Sequence, residues 1–117
     1  MKAVEKLSTK NTESYKWGNN CTGWHLLNTD TLSAIEETMP PGTSEQAHFH
    51  RMAQQLFYIL SGVATFETAD NTIQVSANES FHVPPNTVHK ISNGGVEPLR
   101  FIVISEPQSH GDRFNTD

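Results

Sequence analysis

An all-β sandwich or barrel is the fold this sequence predicts. Three observations predict it: short apolar or alternating runs, turn residues between them, and no stretch of helical period. The runs are Trp24–Leu27, Leu32–Met39, Gln46–His50, Gln55–Leu60, Ala64–Thr68, Thr72–Val75, Ser80–Val83, His89–Ser92 and Leu99–Ser105. About nine short strands at this spacing leave no room for a helical layer. At 117 residues the chain has room for one core, and a single domain spanning 1–117 is expected.

Residues 1–23 are polar and read as an irregular N-terminal arm over a sheet edge, with Tyr15 and Trp17 as its large apolar groups. Residues 24–107 are the predicted barrel, and 108–117 a tail to which no role attaches. Pro40-Pro41-Gly42 ends a strand, because proline gives no ladder donor and Gly42 can take a positive φ. Ser61-Gly62, Ala69-Asp70-Asn71 and Asn93-Gly94-Gly95 predict hairpin turns. Gln55, Phe57 and Ile59 share one strand face, and Leu56, Tyr58 and Leu60 the other. A strand apolar on both faces is covered on both, so a homodimer is expected.

Composition excludes several partners. The net charge of −5 and the lack of a Lys/Arg cluster argue against nucleic acid. The longest apolar run, Leu56 to Leu60, is far short of the roughly 20 residues that span a bilayer, so no membrane partner is expected. The start, MKAVEKLSTK, has no apolar leader core, and a cytoplasmic location is the resulting expectation. The single cysteine, Cys21, has no cationic neighbour in sequence to stabilise a thiolate and is read as unreactive.

His48 and His50 lie two apart, so on a strand both imidazoles leave the same face, a simple way to offer two ligands to one metal. The surrounding spacing adds to this. Gly42, His48, His50, Gln55 and Gly62 resemble the first motif of the cupin superfamily, with Gln where most members carry Glu. Asn78, Pro84, Pro85, Asn86, His89 and Asn93 resemble the second. The resemblance spans 42–93 and extends through the flanking strands. It implies a double-stranded β-helix, or jelly-roll barrel, whose mouth holds one divalent transition metal (Fe, Mn, Ni, Zn or Cu) through His48, His50, Gln55 and His89. Asn78 and Asn86 replace family glycines, and Asn is the residue other than Gly that best tolerates left-handed backbone. Gln55 changes the chemistry: its amide oxygen can coordinate but is neutral, so the ion keeps its full charge and polarises an oxygen ligand more strongly. An anionic or enolisable small molecule suits such a centre.

Among the other residues, His82 is a supporting acid or base, or a plain edge histidine, while His25 and His110 are not ligands. Arg51 and Arg100 can grip a carboxylate but are expected at the surface. Phe49, Phe57, Phe66, Phe81, Ile91 and Phe101 fill the barrel. No carboxylate or lysine stands out as a general base, since Glu45 and Glu79 fall in turns. The resemblance implies a dioxygenase or isomerase, a sugar-acid isomerase being one candidate because short cupins with three His and one Gln act on unsaturated uronic sugars. The alternative is a non-catalytic cupin that binds a sugar or organic acid.

Overall fold

The computed structural model describes residues 4–116. Eleven strands form among these residues: β1 (Ser14–Trp17), β2 (Cys21–Asn28), β3 (Ser33–Met39), β4 (His48–Phe49), β5 (Gln54–Ser61), β6 (Val63–Thr68), β7 (Thr72–Ser76), β8 (Ser80–Val83), β9 (His89–Ser92), β10 (Leu99–Glu106) and β11 (Phe114–Asn115). Among the described residues there is no helix, and hence none long and apolar enough to cross a membrane. A six-stranded antiparallel sheet has the order β1-β2-β3-β10-β5-β8, and a five-stranded sheet the order β11-β4-β9-β6-β7. Strands close in sequence are split between the sheets, the jelly-roll pattern.

The register decides which side chains enter the space between the sheets. In the six-stranded sheet Ile59, Phe57 and Gln55 of β5 lie opposite Phe101, Val103 and Ser105 of β10, and all six are buried. From the other sheet Ala64, Phe66, Val75 and Ile91 meet them. Phe57 packs against Phe66 and Phe101 with ring centroids 5.0 and 5.7 Å apart, and Phe66 stacks on Phe81 at 4.2 Å. Of the six residues expected to fill the barrel, Phe49 departs: it follows His48 on β4, faces the other way, and stacks on Phe114 at 5.3 Å.

Of the three predicted hairpin turns only Ala69-Asp70-Asn71 joins paired strands, β6 and β7, whereas Ser61-Gly62 and Asn93-Gly94-Gly95 carry the chain from one sheet to the other. Asn78 and Asn86, in place of glycines, take φ of 69° and 64°, and Gly42 takes 78°. Gly62 joins β5 to β6 at φ 84°, where an added Cβ would sit 2.7 Å from the Pro98 carbonyl oxygen, so only glycine fits.

Both termini are more ordered than expected. The arm predicted over 1–23 contains β1, which pairs with β2, and β2 begins at Cys21 rather than at residue 24. The tail predicted over 108–117 contributes β11, which pairs with β4. Residues 1–3 and 117 of these segments lie outside the described residues.

Candidate metal centre

Pairing brings the histidines together. His48 of β4 lies directly opposite His89 of β9, and His50 comes two residues later on the same face. The three are buried, and each offers one ring nitrogen such that all three atoms lie within 4.8 Å of one another. They could hold a metal ion.

Each imidazole is aimed by a backbone carbonyl. The Nδ1–H of His48 donates to Gln46 O at 2.9 Å, that of His89 to Thr87 O at 2.8 Å, and that of His50 to Asp112 O at 2.6 Å. Those bonds set the proton on Nδ1 and leave Nε2 as the free lone pair. For His50 and His89 that Nε2 is buried without any partner. A buried, unpartnered acceptor is costly, and a metal ion would satisfy it.

Gln55 lines the same cavity from the opposite sheet. Its cross-strand neighbour Ser105 accepts a hydrogen bond from Gln55 Nε2 at 3.0 Å, which turns Oε1 the other way. That oxygen is buried and unpartnered too. The donor set of imidazole nitrogens and one amide oxygen fits a borderline first-row ion.

Burial also keeps the imidazoles neutral and ready to ligate. It pushes the His48 pKa down to about 3 and that of His89 to about 4, against the opposing pull of their carbonyl partners, and it lowers His50 as well. Glu45 Oε1, 3.9 Å from His48 Nδ1, therefore faces an uncharged ring and makes no true ion pair.

The centre opens into a cavity of about 300 Å³, small enough for a metabolite-sized ligand. Its wall carries groups that no sequence motif singles out. Glu37 projects inward from β3 and makes no hydrogen bond or ion pair among the described residues. Protein surrounds its carboxyl except on the cavity side, and this burial, reinforced by Glu45 and opposed by Arg113, raises its pKa to about 8. Glu45 lines the same cavity, a correction to its expected place in a turn outside the pocket. Burial raises it to about 7, against Arg113 and the Ile91 N–H that it accepts at 3.1 Å. Arg113 Nη1 lies 3.9 Å from Glu45 Oε2, so the arginine of the cavity comes from the tail.

The remaining candidates stay outside. His82 is exposed on β8 and bonds Gln54 Oε1 at 2.9 Å. His25 stacks on Tyr15 at 5.0 Å, and His110 lines the cavity without joining the three-histidine cluster. Arg100 pairs with Glu36 on the outer sheet face, and Arg51 lies over the Phe114 ring at 4.4 Å. Glu79 caps its own turn by accepting the Ser76 N–H at 2.8 Å. Cys21 is buried, and its thiol pKa is raised mainly by that burial, which agrees with an unreactive role.

Comparison with known proteins agrees with this architecture. A mannose-1-phosphate guanylyltransferase of Salmonella typhimurium is 39% identical over 67 residues, covering 57% of this chain and 14% of that protein. An uncharacterised protein of Methanocaldococcus jannaschii is 32% identical over 81 residues, covering 68% of this chain and 65% of that one. The chain thus spans less than two thirds of either relative. The crystal structure of a predicted oxalate decarboxylase from Thermotoga maritima superposes with a TM-score of 0.82 at 19% identity, over 89% of this chain and 100% of that one. The sequence profile described as "Cupin domain" matches residues 35–105. That match, with the two sheets and the clustered histidines beside it, means that the chain belongs to the cupin family.

Proposed function

We propose that this protein is a metal-dependent enzyme acting on a small, oxygen-rich molecule, with one divalent transition ion held by His48, His50, Gln55 and His89. The observation that carries this reading is the convergence of buried lone pairs. His50 Nε2, His89 Nε2 and Gln55 Oε1 are all unpartnered, and each is turned inward by a hydrogen bond at its other end. An ion bound there would act as a Lewis acid on an oxygen of the substrate.

The chain's own residues support chemistry beyond storage. Glu37 faces the cavity with a carboxyl whose pKa stands near neutrality, so it can take a proton from a bound molecule or return one. Arg113, on the same wall, suits an anionic substituent. Phe57 and Val103 add apolar surface to the cavity lining. A dioxygenase or isomerase acting on a hydroxy or keto acid, a sugar acid included, meets these requirements.

Protein purified without a chelator or an affinity tag should carry one divalent ion per chain, and its absence would contradict the metal reading. Keto-enols, catechols, flavonols and unsaturated uronates should then be screened with iron, manganese, nickel and zinc. Metal-dependent product supports the enzyme, whereas thermal stabilisation without product marks a binding protein. His50→Ala should abolish the metal-dependent reaction.

We also infer a homodimer. The outer face of the six-stranded sheet leaves Leu56 and Tyr58 38% and 39% exposed beside the Arg100–Glu36 pair. A patch with an apolar centre, bordered by the half-exposed Arg100, can meet its own copy across a two-fold axis.

A further inference from the structure

The three imidazoles are not held alike. His48 and His89 donate to carbonyls two residues before them, in the chain segments that carry them. His50 donates to Asp112, 62 residues later. It lies just past the end of β4, where no ladder bond constrains it, and its own carbonyl accepts the Asn86 N–H at 2.6 Å. The chain then enters the turn Arg51–Ala53. The Asp112 carboxylate takes all three of its amide protons: Oδ1 accepts Arg51 N–H at 2.8 Å, and Oδ2 accepts Met52 N–H at 2.9 Å and Ala53 N–H at 3.0 Å. One residue of the tail therefore grips both the ring of His50 and the backbone leaving it.

The tail is shaped to deliver that residue. Gly111, at φ 82°, lets the chain reverse, and Asp112 N–H closes the turn on Ser109 O at 2.9 Å. Beyond it Phe114 pairs with Phe49 and Asn115 with His48, while Thr116 N–H bonds Ala47 O at 2.8 Å. The same segment carries Arg113 to the cavity wall.

Building on the metal reading above, we propose that Asp112 is the positioning residue of the metal centre: its carboxylate clamps the Arg51–Ala53 turn, and its carbonyl holds the His50 ring with Nε2 facing the ion. Removing the carboxylate leaves the backbone carbonyl in the chain but frees it to move. The turn loses three charge-assisted bonds, and His50 can rotate. Changes to such outer supports cost roughly 10–100-fold in metal affinity.

Cobalt(II) alone, added to metal-stripped protein and followed by calorimetry and visible absorption, is the probe. Wild type should take up one equivalent. Asp112→Ala should bind roughly 10–100-fold more weakly. Asp112→Asn, which keeps an acceptor oxygen but adds an amide group facing the turn, should fall between. Because either variant could lose stability, the His50 ring is also read without metal, by ¹H–¹⁵N correlation of the imidazole nitrogens. Wild type should show a single Nδ1–H tautomer at His50, and both variants a mixture, with His48 and His89 unchanged. Unaltered cobalt affinity, or an unaltered His50 tautomer, in Asp112→Ala or Asp112→Asn would overturn the proposal. Failure of the wild type to bind cobalt would instead overturn the metal reading on which it rests.

Discussion

His48 and His89 belong to a part of the molecule that organises itself, whereas His50 depends on a segment far away in sequence. The first two face each other across a β4–β9 pair, and their carbonyl partners precede them by two residues. Once those strands pair, two imidazoles are aimed. The third waits for the tail, since both its ring and the turn after it are held by Asp112. A centre built in this way has a rigid half and a half that forms only when the last described strand docks.

The largest expected effect breaks the rigid half. His48→Ala or His89→Ala removes a donor atom itself, so divalent metal binding should fall by more than the roughly 10–100-fold that outer supports cost. Calorimetry with cobalt(II) on the purified variants reads this, and near wild-type affinity would show that the strand pair is not the core of the site.

A smaller effect is expected on the facing sheet. Ser105→Ala takes away the acceptor that orients the Gln55 amide, so Oε1 loses its fixed direction. Metal affinity should drop about tenfold, at the low end of the outer-support range. Gln55→Glu should act in the opposite sense, tightening binding by supplying a charged oxygen. Both are measured in the same titration.

The pH dependence of the metal-free fold separates the histidines from the carboxyl wall. Glu37 has a folded pKa of about 8 against an ordinary 4.5. Between those values the folded state holds a proton that the unfolded chain has released, so stability falls as pH rises through about 8. His48, at about 3 against an ordinary 6.5, has the reverse sign: the unfolded chain binds the proton first, and stability falls as pH drops below 6.5. Thermal unfolding should therefore show a maximum at mildly acidic to neutral pH. Glu37→Gln should raise the midpoint at pH 9 relative to wild type and leave the acid limb in place. An unchanged alkaline limb would show that Glu37 ionises normally.

The smallest effect concerns a turn. Asn86→Ala forces a residue with a Cβ and no local amide into φ 64°, which should cost about 1–2 kcal/mol of stability in chemical denaturation. Asn86→Gly should cost nothing or stabilise slightly.

Legibility in the sequence divides along the same line. The motif segment is readable because its signals are local: His48 and His50 at a strand's period, asparagines where left-handed backbone is needed, Gly62 where a Cβ would meet Pro98. Glu37 carries a fainter signal, its place in the alternation of β3. It alternates with Ile35 and Met39, and a face shared with those two is a core face. Its neighbour Glu36, opposite Ile102, faces outward instead and pairs with Arg100. Two adjacent glutamates disguised the difference. Asp112 and Arg113 had no local signal, since their partners lie some sixty residues earlier and nothing short of the docked strand β11 announces them.

In the proposed centre a metal ion sits where the two sheets meet. Anomalous diffraction from crystals of protein purified without chelators tests it most directly. One peak is expected about 2.0–2.1 Å from the Nε2 atoms of His48, His50 and His89, with Gln55 turned to present Oε1. No peak at that point in crystals grown with added divalent metal, or a Gln55 whose amide nitrogen faces it, would contradict a metal held by these four residues.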